Sequence, residues 1–124
     1  MTKNTDEEKG VIINVASVAA YEAAKGMIGY GASKGAVASI TLPMARDLAR
    51  YKIRVVCVAP SIIATPMTEP FMGDLKPILL KDYPLGKFGE PSDFAHFTIA
   101  VIENKFLNGT VHRLDGGNLN PYHP

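Results

Sequence analysis

The chain has 124 residues, 47% of them hydrophobic, with 13 basic and 12 acidic side chains and a formal charge of +1. That length allows one domain at most with a modest core, and that composition excludes a disordered polymer. A nearly neutral chain has no large field for nucleic acid or an anionic membrane, so neither is an expected partner.

Residues 1–10, "MTKNTDEEKG", read as a polar tail or loop. They offer no apolar core for a signal peptide and are too acidic for an ordinary transit peptide. Residues 11–124 read as the folded part. "VIINV" (residues 11–15) is a β-branched strand without alternation, as in parallel sheets covered on both faces by helices. A long helix is expected over residues 27–50, with Val37, Ile40, Met44 and Leu48 at helical spacing and Pro43 inside it. "IRVVCVA" (residues 53–59) is a second buried strand. Cys57 within it is the only cysteine, so no internal disulfide can form, and its apolar neighbours make it a buried small hydrophobe.

Residues 61–89, rich in Pro and Gly, read as one long irregular segment, the length of a functional lid. Residues 90–104 read as a helix, with Pro91 in its first turn and Asp93 at its positive end. Asn108-Gly109 signals a turn into a weaker, outer strand, "TVHRL" (residues 110–114). The order is strand, helix, strand, loop and helix, strand. It predicts an α/β fold with parallel strands, and ligands bind such sheets beyond the strands' carboxyl ends. The longest apolar runs fall well short of a membrane span. His96, His112 and His123 share no metal-ligand spacing.

Three of the five tyrosines have a lysine four residues later: Tyr21 with Lys25, Tyr30 with Lys34, and Tyr83 with Lys87. Lys87 follows Tyr83 through "PLG", which is not helical, and Tyr21 and Lys25 lie in what reads as a loop. Only Tyr30 and Lys34 fall in the first turns of the long helix, where residues four apart share a face. An ammonium beside a phenol favours the phenolate and lowers the cost of proton exchange. Ser17, just past the first strand, can hold a substrate oxygen beside that phenol.

At this point "VIINVASVAA", Tyr30-Gly31-Ala32-Ser33-Lys34, "IRVVCVAPSIIATPM" and "LNGTVHRLDGG" together resemble the carboxyl-terminal half of the short-chain dehydrogenase/reductases. Within that family, "TLPMARDLA" and "IENKFLNGTVHRLDGG" resemble the mitochondrial type-2 3-hydroxyacyl-CoA dehydrogenases (type-10 17β-hydroxysteroid dehydrogenases). The resemblance implies a partial Rossmann-like sheet carrying the catalytic half. It implies that Ser17 hydrogen-bonds the substrate oxygen and that Tyr30 is the general acid or base. Lys34 then lowers the phenol pKa and binds the nicotinamide ribose, with Tyr30 also counted among the cofactor-binding residues. Pro60, the Ile63 backbone and the Thr65 side chain hold the carboxamide. The implied cofactor is NAD(H) or NADP(H), NAD favoured, and the implied substrate is an acyl-CoA or a steroid. A mitochondrial matrix location is implied too, with the cytoplasm as the default otherwise.

The glycine-rich dinucleotide turn of that family is not written in these residues: Gly26, Gly29 and Gly31 do not spell it, and no strand leads into them. Ser61 stands where the family usually has glycine after the proline. Without upstream neighbours, "VIINV" presents an apolar edge that invites pairing, so a homo-oligomer or a partner chain completing the sheet is expected. Three roles stay open: an oxidoreductase completed by another portion, a non-catalytic scaffold, and a truncated family fragment.

Overall fold

The computed structural model describes residues 7–118. Most of the polar tail read from residues 1–10, and His123, therefore lie outside the described residues. The elements in chain order are β1 (Gly10–Val15), α1 (Ala19–Glu22), α2 (Ile28–Leu48), β2 (Ile53–Pro60), α3 (Glu69–Met72), α4 (Lys76–Leu79), α5 (Pro91–Glu103) and β3 (Val111–Leu114). The sheet order is β1-β2-β3 with both pairings parallel, Asn14 opposite Cys57 and Cys57 opposite Val111. The expected α/β class, element order and strand direction all hold.

β2 is the centre of the molecule. Val55, Val56, Cys57, Val58 and Ala59 are fully buried, so Cys57 is the buried free thiol expected. β1 differs from its reading: its residues are only half-buried and Val15 is exposed. The physical reason is topology. The central strand pairs on both sides, whereas β1 pairs with β2 alone, and α2 packs chiefly over β2.

α2 turns most of the expected stripe inward: Val37, Met44 and Leu48 are half-buried beside the fully buried Thr41 and Ala45, and only Ile40 of that stripe points outward. Thr41 tolerates full burial because its hydroxyl donates to the Val37 carbonyl at 3.1 Å and accepts from Asn14 Nδ2 at 3.4 Å. α2 continues through Pro43 and closes in a 3₁₀ turn, Ala49–Tyr51, followed by Lys52 in the left-handed region. Residues 61–89 are not wholly irregular. They hold α3, α4 and the short 3₁₀ turn Leu80–Asp82, whose surroundings form a second small core of Met72, Tyr83 and Phe88. Short helical turns flanked by Pro and Gly carry too few periodic residues to be seen in sequence.

The Asn108-Gly109 turn locks β3 onto β2. Asn108 Oδ1 accepts the Val55 N–H at 2.9 Å, and the Gly109 N–H donates to the Val55 carbonyl at 2.7 Å. Gly109 has φ +72°, and a Cβ there would meet Leu42 Cδ1 at 3.0 Å, so the turn needs glycine for both conformation and space.

Arg54, a buried cation in β2, is prominent in the structure and inconspicuous in the sequence. It is 7% exposed, and its guanidinium holds Glu8 (Nε–Oε2 2.7 Å) together with the carbonyls of Val101, Ile102 and Leu107. A cation against the last carbonyls of a helix complements their partial negative charge, so Arg54 pins the end of α5 to the sheet. That hydrogen bond from Arg54 holds the Glu8 carboxyl below its usual pKa, against the opposing effect of burial.

Candidate active site

The carboxyl ends of β1 and β2 are laced together. The Ala16 N–H donates to Val58 O at 2.8 Å and the Val18 N–H to Pro60 O at 3.1 Å, carrying the parallel ladder past the end of β1. Ser17 sits between these two anchors. Its Oγ accepts the Ala19 N–H at 3.1 Å and starts α1, which leaves the hydroxyl proton free to donate. Tyr21, read as part of a loop, lies in this one-turn helix, but Lys25 falls beyond it.

α1 and α2 meet closely at Gly31. A Cβ there would lie 2.9 Å from Ala23 Cβ and 3.3 Å from the Ala19 carbonyl. Only glycine lets the start of α2 approach α1 this closely. Next to it, Lys34 Nζ donates to the carbonyl of Val15, the last residue of β1, at 3.3 Å, and stands 5.8 Å from the centroid of the Tyr30 ring. The ammonium therefore holds the strand tip and lies over the Tyr30 ring. The Tyr30 ring is half in solvent, and its hydroxyl has no partner among the described residues. Tyr30 and Lys34 are thus brought together with the residue two before Ser17.

The second edge of the site follows Pro60. Residues 62–65 run extended beside Gly89: the Gly89 N–H donates to Ile62 O at 3.1 Å and the Ala64 N–H to Gly89 O at 2.8 Å. The Ile62 N–H donates to the Tyr83 hydroxyl at 3.1 Å. In extended backbone successive N–H groups point to opposite sides. With Ile62 and Ala64 anchored on one side, the Ile63 N–H faces the other, where no described residue accepts it.

Thr68, which the sequence reading missed, organises this edge. Its Oγ1 donates to Ile63 O at 2.6 Å and accepts the Thr65 N–H at 2.9 Å, and it lies 3.2 Å from Thr65 Oγ1. A hydroxyl has one proton. Since Thr68 gives its proton to Ile63 O, the hydrogen bond between the two hydroxyls is donated by Thr65; the Thr68 N–H takes one Thr65 Oγ1 lone pair at 3.4 Å, and the other is left for an external donor. An outward N–H on Ile63 and an acceptor on Thr65 are complementary to a primary carboxamide. The Lys34 ammonium adds a donor for vicinal hydroxyls. These residues therefore fit the nicotinamide end of a dinucleotide, and nothing among the described residues is assigned to its adenosine end.

A cavity of about 430 Å³ lies beside this edge, lined by Ser61, Ile63, Gly89, His96 and Asp115 among others, but not by Ser17, Tyr30 or Lys34. Of the trio, Tyr30 is exposed while Ser17 and Lys34 are half-buried. Arg113, at the end of β3, bonds Glu22 of α1 and Asp115, and those bonds raise its pKa further, the Glu22 bond first. It ties β3 to the helix that leaves Ser17. No cluster of metal-ligating side chains occurs among the described residues, and none of their helices is long and apolar enough to cross a membrane.

Three parallel strands with helices between them define a Rossmann-type α/β architecture. The family model described as enoyl-(acyl carrier protein) reductase matches residues 1–118. The chain belongs to the short-chain dehydrogenase/reductase family. It is 48% identical over 110 residues to the 3-hydroxyacyl-CoA dehydrogenase type-2 of Rattus norvegicus, covering 88% of this chain and 42% of the relative. It is 38% identical over 112 residues to a 3-oxoacyl-[acyl-carrier-protein] reductase of Homo sapiens, covering 90% and 46%. The crystal structure of 3-hydroxyacyl-CoA dehydrogenase type-2 from Mycobacterium avium superposes with a TM-score of 0.84 at 34% identity, over 90% of this chain and 44% of that one. A 7α-hydroxysteroid dehydrogenase in complex with NADH and 7-oxo glycochenodeoxycholic acid gives 0.83 at 27% identity, over 89% and 45%. The chain spans less than half the length of these relatives.

Proposed function

We propose that this chain carries the catalytic half of an NAD(P)-dependent oxidoreductase that interconverts a secondary alcohol and a ketone, of the 3-hydroxyacyl-CoA or hydroxysteroid type. The observation that carries the reading is the placement of Lys34 Nζ between the tip of β1 and the Tyr30 ring. When bound, the nicotinamide cofactor supplies the hydride chemistry. The Ser17 hydroxyl donates to the substrate oxygen. The Tyr30 hydroxyl gives that oxygen a proton in reduction and takes it back in oxidation. Lys34 stabilises the phenolate by its charge and binds the ribose hydroxyls, and Ile63 and Thr65 hold the carboxamide. NAD is favoured over NADP by the relatives, one of which is described with NADH.

The open edge of β1 supports a partner for the sheet, either a second copy or a further stretch of polypeptide that pairs with Gly10–Val15. In that assembly the chain acts as an enzyme, whereas a scaffold would keep the pairing without cofactor binding. Titration with NADH up to millimolar concentration, with the chain alone and with any co-purifying partner, separates the two. Saturable binding that weakens in Lys34→Met is expected. Absence of binding in both samples would remove the enzyme reading.

A further inference from the structure

Tyr83 is the tyrosine that sequence spacing discards, since Lys87 shares no helix face with it, yet it is the most deeply buried tyrosine among the described residues, at 5% exposed. Its ring packs edge-on against Phe88, with centroids 5.0 Å apart and an interplanar angle of 88°. Its hydroxyl reaches one group only, the Ile62 N–H, at 3.1 Å. The ring packing does not require that hydroxyl, because phenylalanine would fill the same volume. Burying a phenol end therefore has to be justified by what its oxygen holds.

Resting on the nicotinamide reading above, we infer that Tyr83 is a positioning residue for cofactor binding. Its hydroxyl fixes the Ile62 amide and thereby the outward direction of the Ile63 N–H. The segment has three anchors on its inner side: Tyr83 Oη at the Ile62 N–H, the Gly89 N–H at the Ile62 carbonyl and the Gly89 carbonyl at the Ala64 N–H. The Ile63 N–H emerges between them. With the Tyr83 anchor gone, the Ser61–Ile62 peptide can rotate, the next peptide keeps only the Gly89 N–H on its inner side, and the donor for the carboxamide loses part of its fixed aim. Tyr83 and Gly89 both belong to the loop before α5, so this loop sets the geometry of the cofactor edge without touching the cofactor. Thr68 holds the same segment from the far end through Ile63 O and the Thr65 N–H.

The test is Tyr83→Phe in the full chain, read by amide hydrogen exchange and by NADH titration. The Ile62 amide is expected to exchange about tenfold faster while the Val55 and Val58 amides of β2 keep their protection. The NADH dissociation constant is expected to rise about fivefold, the equivalent of one net hydrogen bond. Should Tyr83→Phe not fold, exchange in the wild-type chain decides: an Ile62 amide with no protection would overturn the inference. Unchanged exchange at Ile62 would overturn the inference. So would faster exchange with unaltered NADH affinity, which would make Tyr83 merely structural. A wild-type chain that protects Ile62 but binds no NADH would overturn the nicotinamide reading, and the inference with it.

Discussion

Replacing Arg54 with methionine tests how the third strand and the last helix are held to the sheet. Methionine keeps most of the aliphatic stem within β2, so little apolar contact is lost and the effect isolates the guanidinium. Three carbonyls, of Val101, Ile102 and Leu107, lose donors at 2.9, 3.2 and 2.8 Å, and Glu8 loses its countercharge. A buried acceptor left unsatisfied costs about 1 kcal/mol, and breaking a buried pair from one side costs about 3–5 kcal/mol. The Glu8 side chain retains 17% of its exposure and can turn into water, which places the expected loss at the low end, about 3 kcal/mol. With a urea slope of about 1.5 kcal/mol/M, the midpoint should fall by about 2 M. Glu8→Gln is the control. It keeps all three carbonyl bonds and should lower the midpoint by only about 0.7 M. If Arg54→Met melted at or above the Glu8→Gln midpoint, the carbonyls would be satisfied by water and Arg54 would not tie α5 to the sheet.

The same pair makes stability depend on acid. Because the folded-state pKa of Glu8 lies below its usual 4.5, its contribution is complete above about pH 4.5 and is lost as the pH falls through the folded value. Urea midpoints measured from pH 7 to pH 3 should fall more steeply in wild type than in Glu8→Gln, and equal slopes would contradict the assignment. Gly31→Val should force α1 away from α2, costing about 1–3 kcal/mol in thermal unfolding and moving Tyr30 from the strand tip. A variant with wild-type stability would mean that the contact with Ala23 and Ala19 is looser than described. The bare edge of β1 should make the isolated chain oligomeric or poorly soluble in size-exclusion chromatography. A sharp monomer peak with a cooperative melt would contradict that.

Much of this fold can be read from the chain because its strands are apolar and its turns are chemically explicit. "IRVVCVA" is buried from Arg54 onward, and Asn108-Gly109 turns into β3 where its composition says it should. Burial of β1 could not be read, since "VIINV" carries the same residue types as β2 and differs only in having one neighbour rather than two. The inward face of α2 was legible at Val37, Met44 and Leu48 but not at Ile40, because the adjacent Thr41, satisfied by Val37 and Asn14, took the buried place. The placement of Tyr30 and Lys34 in the first turns of one helix was legible through their spacing, and that of Ser17 just past β1 through the strand before it. Thr68 and Tyr83 were not, because each acts on backbone groups distant from it in sequence or across an irregular turn, where spacing holds no information. The Arg54 contacts reach residues 46–53 positions away, and a single arginine in an apolar run gives no sign of them.

The central claim is that a phenol, an ammonium and a serine hydroxyl at one sheet end exchange a proton with a reacting alcohol or ketone. Its most direct test is Tyr30→Phe in the assembled protein, measured as NADH-dependent reduction of a 3-oxoacyl thioester alongside NADH binding. Loss of one catalytic proton transfer should lower turnover by about 10²–10⁴-fold with NADH affinity nearly unchanged. Turnover at the wild-type rate in Tyr30→Phe would contradict the account.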